Sequence, residues 1–240
     1  MSPCFNLNKK TLIFTSDGEG SGLCASINIF DGKEVKMISK THKNDSLGCL
    51  YAISTIYLGM KPLQHEFKVM GLAPYAKKDK TEEVYKKLRE LFWIDNKLRI
   101  HCKYSTPFID HFFENEMRFT RFDTFAAAVQ KLVEEINLEW ITLAIKKTGI
   151  KDLALSGGLF MNVKASQRIS ELKEVESLFV MPSCGDESNA IGACFYGYKK
   201  YCEEHKLEFK PKPLTHLYLG PEYDNEYIVK LIKDKNLNEK

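Results

Sequence analysis

The apolar positions of this chain change their spacing twice. Leu12 to Ser16, Ala25 to Phe30 and Glu34 to Ser39 are short, mostly apolar or alternating runs that predict three successive strands. Asp31-Gly32, between the last two, is a strong hairpin signal. Leu47 to Leu58 then moves to helical spacing and is stopped by Gly59 and Pro62. Thr81 to Phe92 predicts a second helix, rich in Lys and Glu, with Thr81 as its cap and Glu82 and Glu83 in its first turn. Residues 93 to 122 hold Trp93, Phe108, Phe112, Phe113, Phe119 and Phe122 with no clean period, which predicts an irregular insertion packed by aromatics. Asp123 to Lys147 is the longest predicted helix, with Asp123 as its cap. Beyond it the pattern alternates: strand 153–156, helix about 159–172, strand 178–181, helix 189–203. That alternation implies an α/β fold built on a mixed sheet with helices on both faces.

Both late strands run into glycine before their helix. Gly157-Gly158 lets the backbone turn with no side chain in the way, and Gly185 repeats the plan with Asp186 at the mouth of the following helix. A strand–glycine–helix turn aims backbone N–H groups at an anion, although glycine at such a junction also serves geometry alone. A phosphate cradle beside a carboxylate points to a nucleotide together with a metal.

Four stretches read together are more specific: Ser-Leu-Gly-x-x-Tyr at 46–51, Lys-Val-Met-Gly-Leu-Ala-Pro-Tyr at 68–75, Ser-Gly-Gly-x-x-x-Asn at 156–162 and Gly-Asp-x-x-x-Ala-x-Gly-Ala at 185–193. With the Asp17-Gly-Glu-Gly end of the first strand, they resemble the nodulation-protein-U and antibiotic O-carbamoyltransferase family, in the family's order, from about residue 11 to about residue 224. The resemblance implies a ribonuclease-H-like subdomain of the actin, sugar-kinase and heat-shock ATPase type. It also implies that this chain holds only the second of two such subdomains. Residues 1–10 are then a lead-in, 11–205 the subdomain with an insertion at about 60–122, and 206–240 a linker and the start of a C-terminal carbamoyltransferase domain. Other carbamoyl-transferring members of the superfamily, those that modify tRNA or mature hydrogenase, share the fold. The 46–51 and 68–75 stretches favour the nodulation type.

Composition narrows the partners. A formal charge of +3 over 240 residues, with Lys scattered, gives no reason to expect nucleic acid. No stretch has the length and apolarity to cross a membrane, and the N-terminus lacks the pattern of a signal peptide, so a cytoplasmic location is expected. Seven cysteines without Cys-x-x-Cys spacing argue against a disulfide frame or a zinc ribbon. Cys184, although it precedes Gly185, reads as a small buried filler and not as a nucleophile.

The family resemblance assigns roles to particular residues. Asp17 and Asp186 match its catalytic metal-binding acids, while an Asp before Gly is also an ordinary turn residue. Gly157, Gly158, Asn162 and Gly185 are assigned to ATP or AMP, with helix capping as the alternative use of Asn162. Lys68 is expected to pair with phosphate, Gly71 to let its loop pass close to adenosine, and Glu19 to orient a ligand around the metal. The family completes a divalent metal site, expected to hold iron, with a His-x-x-x-His pair upstream. The six histidines here, His42, His65, His101, His111, His205 and His216, offer no such pair and read as surface or loop residues.

The implied chemistry makes a carbamoyl-adenylate from carbamoyl phosphate and ATP, then passes the carbamoyl group to a hydroxyl of a sugar or other small molecule. Half of the machinery is expected to lie in a missing N-terminal half and C-terminal domain. The isolated chain is therefore expected to be inactive in transfer and to expose an apolar docking face that favours self-association. The alternative is a non-catalytic nucleotide-binding fragment, a truncated or split-gene product that needs a partner chain.

Overall fold

The computed structural model describes residues 9–211, 218 and 220–237. Cys4, His216 and most of the 214–221 junction lie outside the described residues.

The chain opens with β1 (Thr11–Gly20), β2 (Leu23–Phe30) and β3 (Val35–His42), an antiparallel meander. Asp31 makes the β2–β3 turn by accepting the N–H groups of Lys33 and Glu34 on its Oδ1, each at 2.9 Å. Helix α1 (Leu47–Tyr57) follows and ends at Leu58-Gly59, as its sequence predicts. Gly71, expected in a loop, instead lies in helix α2 (Glu66–Leu72). Helix α3 (Lys78–Arg89) begins three residues before the expected cap, and Thr81 lies inside it with its hydroxyl on the Lys77 carbonyl at 2.9 Å.

The expected irregular insertion is ordered. It holds a short hairpin, β4 (Phe92–Ile94) and β5 (Ile100–Cys102), then helix α4 (Asp110–Glu116). Asp95 organises the hairpin: its Oδ1 accepts from Lys97 N and Arg99 N at 2.9 Å, and its Oδ2 accepts from Arg99 Nε at 2.8 Å and meets His101 Nε2 at 3.1 Å. His101 is therefore a strand residue of a built turn, stacked on Trp93, and not a loose loop histidine.

Helix α5 (Phe122–Thr148) is the longest element, and its apolar stripe runs through Phe125, Val129, Leu132, Ile136 and Trp140. Asp123 does not cap it: Arg121 holds that position, and the Asp123 carboxylate turns to Arg121 Nε and Thr124 N. Gly149, with φ of 72°, ends it. The chain then runs β6 (Asp152–Ser156), a 3₁₀ turn at Gly158–Met161, α6 (Val163–Ser170), β7 (Ser177–Val180), α7 (Ser188–Glu204) and α8 (Asn225–Asp234).

The five-stranded sheet has the order β3-β2-β1-β6-β7, antiparallel in its first half and parallel where β6 joins β1 and β7 joins β6. This is the expected mixed sheet, and helices flank it. One face carries Leu12 and Phe14 of β1, Ile27 of β2, and Leu153 and Leu155 of β6, all buried. Trp140 packs on it, with its ring centroid 5.1 Å from that of Phe14, edge to face. The Trp140 Nε1–H donates to the Leu98 carbonyl at 2.8 Å, and Ser39 Oγ donates to the same oxygen at 3.0 Å. One carbonyl thereby ties the hairpin to both α5 and β3. Helix α7 runs past the β2–β3 turn, where Lys199 donates to the Lys33 carbonyl at 2.9 Å.

Two outcomes follow. Trp140→Ala empties the centre of the core and removes a buried donor, so urea unfolding should show a loss of about 3–5 kcal/mol with the slope unchanged. Burial opposes ionisation of Asp95, but hydrogen bonds from Arg99, His101 and Lys97 outweigh it and hold the carboxyl well below the usual carboxylate range. A carboxyl depressed in the folded state stabilises above its unfolded value of about 4, and that contribution fades as pH falls further toward the folded value. Asp95→Asn should therefore lower the melting temperature at pH 7, and the difference from wild type should shrink on acidification.

Candidate functional site

Because β1, β6 and β7 run parallel, their carboxyl ends open on one edge of the sheet. Edges of this kind are where open α/β sheets take ligands. Register brings Thr15 beside Ser156 and Leu155 beside Val180, so Asp17, the Gly157-Gly158 turn and the Met181–Gly185 turn emerge there together.

The first two interlock through missing side chains. Gly157 has φ of 103°, and a Cβ there would overlap the Ser16 backbone carbonyl. Only glycine lets β6 turn against β1 at this point. A Cβ on Gly158 would stand 3.0 Å from Asp17 Oδ1. The Asp17 carboxylate thus faces the Gly158 backbone across the space that a side chain would fill.

Helix α1 holds Asp17 from the other side. Ser46 caps the helix by accepting Cys49 N at 3.0 Å, and the same fully buried hydroxyl donates to the Asp17 carbonyl at 2.9 Å. Gly48 lies so close to the Asp17–Gly18 peptide that a Cβ would come within 2.7 Å of three of its backbone atoms. Cys49 Sγ donates to the Gly18 carbonyl at 3.4 Å. Residues 46–49 form a seat for the end of β1. The contacts of Ser46 and Gly48 with β1 are not legible in the sequence, although a Ser just before an apolar helical run is a recognisable cap.

At the end of β7, Cys184 is buried and donates to the Met181 carbonyl at 2.9 Å. Burial, with the charges of Glu187 and Asp17 adding to it, pushes its thiol up to about 11. It stays protonated at neutral pH, which fits a filler and not a nucleophile. Asp186 is exposed, and its backbone carbonyl accepts Asn189 N at 3.0 Å at the start of α7. Glu187, pinned by Ser183, is the carboxylate that turns back over Gly185.

Asn162 caps α6, its Oδ1 accepting Ala165 N at 3.1 Å, and also pairs with the buried Gln130 of α5 through two amide hydrogen bonds. Tyr51 of α1 donates to Gln130 Oε1 at 2.7 Å. The Gln130 pairing is invisible in sequence, where the partners stand 32 residues apart. Glu19 is exposed and paired with Lys43 at 3.1 Å. Lys68 and Gly71 lie on α2, both exposed, and a Cβ on Gly71 would meet nothing within 4 Å. Gly71 is therefore a helix residue in open space and not part of a loop.

At the glycine turns the space that a side chain would fill is faced by carboxylates, Asp17 at Gly158 and Glu187 at Gly185. Among the described residues no three His, Cys, Asp or Glu side chains converge to hold an ion, so Asp17 and Asp186 do not form a coordination shell by themselves. No helix among the described residues is long and apolar enough to cross a membrane.

A family model described as the carbamoyltransferase N-terminus matches residues 1–195. An uncharacterised protein of Synechocystis sp. is 27% identical over 237 residues, covering 92% of this chain and 38% of that protein. Nodulation protein NolNO of Sinorhizobium fredii is 29% identical over 226 residues, covering 92% of this chain and 32% of its own. The chain thus spans 32–38% of the length of these relatives. Among solved structures, full-length HypF in its phosphate- and nucleotide-bound form superposes with a TM-score of 0.49 at 16% identity, over 84% of this chain and 41% of that one, a likeness too loose to bear on function.

Gly48→Ala tests the seat under Asp17. The added methyl meets backbone, which cannot yield as a flexible side chain would, so chemical denaturation should show a loss of about 1–3 kcal/mol. Gly71→Ala, in open space, should leave stability unchanged or slightly raised.

Proposed function

This chain belongs to the carbamoyltransferase N-terminal family, and from that premise we propose that it is the nucleotide-holding part of a carbamoyltransferase. The reaction is the family's: carbamoyl phosphate is hydrolysed to carbamate and phosphate, the carbamate displaces pyrophosphate from ATP to give a carbamoyl-adenylate, and the carbamoyl group passes to a hydroxyl of a sugar or other small molecule with release of AMP. The observation that carries the reading is the Asp17 carboxylate facing the side-chain-free Gly158 at the shared carboxyl edge of β1 and β6. In this reading Gly157 lets β6 turn tightly against β1, Gly158 and Gly185 admit the nucleotide phosphates when the Asp17 and Glu187 carboxylates move aside, Asn162 holds the ligand beside the turn, and Lys68 supplies a mobile positive charge from α2.

A bare carboxylate beside a phosphate is repulsive, so Asp17 and Asp186 have a use there only if a cation comes between. A divalent ion, iron being the one expected, supplies polarisation of the carbamoyl carbonyl when bound. Its remaining ligands must come from beyond the described residues, and no step is assigned to it. Met161 and Val163, which flank Asn162, are 53% and 61% exposed, and such apolar exposure beside the site suits the docking of a further part of the enzyme. In isolation the chain is then a nucleotide-binding piece without transfer activity.

Calorimetry with ATP tests the reading. Wild type should bind weakly. Gly158→Val should abolish binding while the fold survives, because the new side chain presses on the movable carboxylate of Asp17 and not on backbone. Equal affinity in the two proteins removes the phosphate cradle. Carbamoyl transfer by the purified chain with no added partner would show that the active site lies elsewhere.

A further inference from the structure

The amide of Gln130 has no hydrogen-bonding position left over. Its Oε1 accepts from the Tyr51 hydroxyl at 2.7 Å and from Asn162 Nδ2 at 2.9 Å. Its Nε2 donates to Glu134 Oε1 at 2.7 Å and to Asn162 Oδ1 at 3.0 Å. A side-chain amide has two N–H donors and two oxygen lone pairs, and all four are engaged.

The partners decide which end of the amide is which. Glu134 is bound through its other oxygen to Arg168 at 2.9 Å and can only accept, so the Gln130 atom facing it is nitrogen. The Tyr51 phenol, raised above its ordinary range by burial and by the nearby charges of Glu134 and Glu66, keeps its proton and donates to the oxygen. With Gln130 oriented, Asn162 has no choice. Its oxygen faces Gln130 Nε2 and also takes the Ala165 N–H, which fills both lone pairs. Its nitrogen spends one N–H on Gln130 and keeps one. Asn162 is only half-buried and is tied to the Gly158–Met161 turn by its own backbone N–H on the Leu159 carbonyl at 3.1 Å.

We infer that Asn162 offers a ligand at this turn a single N–H donor and no acceptor, and that Gln130 is the positioning residue that sets this polarity. The ligand atom that it takes is an oxygen with a free lone pair, on a phosphate or on a ribose. This rests on the proposal that the turn holds a nucleotide, but the polarity itself is a property of the free protein.

Side-chain amide NMR of the full ¹⁵N-labelled chain tests it. In the free protein both Gln130 amide protons should exchange slowly with water, while Asn162 shows one slow and one fast proton. Two slow or two fast Asn162 protons overturn the inference. Gln130→Met, which keeps length and removes all four bonds, should erase the asymmetry, and asymmetry that persists in this variant shows that Gln130 does not set it. Added ATP should shift the fast Asn162 proton and leave the Gln130 pair in place. Inorganic phosphate alone reproducing the shift identifies a phosphate oxygen, and adenosine alone reproducing it identifies a ribose oxygen. ATP that binds by calorimetry without moving either Asn162 proton overturns the ligand contact. Failure of ATP to bind at all sinks the nucleotide reading, while the exchange asymmetry still decides the polarity.

Discussion

The parallel pairing of β1 with β6 is the constraint on which the rest of the molecule depends. Antiparallel neighbours place the carboxyl end of one strand beside the amino end of the next, and a meander alone would scatter its turn residues over two edges. Setting Leu12 beside Leu153 and Thr15 beside Ser156 brings the carboxyl end of β6 to Asp17 in the outer half of β1, and the end of β7 then joins it. The approach is close enough that Gly157 can carry no side chain. Chemistry at this edge is a consequence of strand direction before it is a consequence of any one residue.

Helix α1 serves the two halves of the site at once. Ser46 and Gly48 fit the end of β1, and Tyr51, one turn further on, orients the amide pair that reaches α6. The three residues lie within six positions of sequence, on a helix whose start is capped and whose face packs on β1. A rigid helix holds both contacts at a set separation, so neither strand end nor turn can shift without disturbing the other. This gives Ser-Leu-Gly-x-x-Tyr a physical content that the letters alone do not carry.

Legibility in the sequence followed the range of the interaction. Asp31-Gly32, the Gly59 stop and the late alternation of strand and helix are local, and the structure places them as the residues predict. The β4–β5 hairpin is hidden by the unperiodic aromatic residues around it, although Asp95-Asn96 between two apolar runs is an ordinary turn signal. Asp123 looked like a cap because it precedes the apolar stripe, but it turns to Arg121 instead. Asn162 and Gly158 were singled out from the glycine turn. What surrounds them, the amide of Gln130 and the carboxylate of Asp17, depends on contacts between distant segments that no local pattern encodes.

The placement of β6 also bears on how the molecule comes to be. The central strand pair joins Leu12 to Leu153, so the edge that gathers Asp17 and the two glycine turns does not exist until nearly the whole sheet-forming chain is available. The meander and α1 can assemble from neighbouring sequence, whereas β6 must find β1 across the entire intervening insertion and α5. Closing so long a loop comes before the contacts that reward it, which places this edge late in the order of folding. Until then β1 has an open side, with an unpaired row of backbone groups where β6 will lie. A ribosome-bound chain halted before residue 152 would display that row, and a chaperone that binds extended apolar segments would find it there.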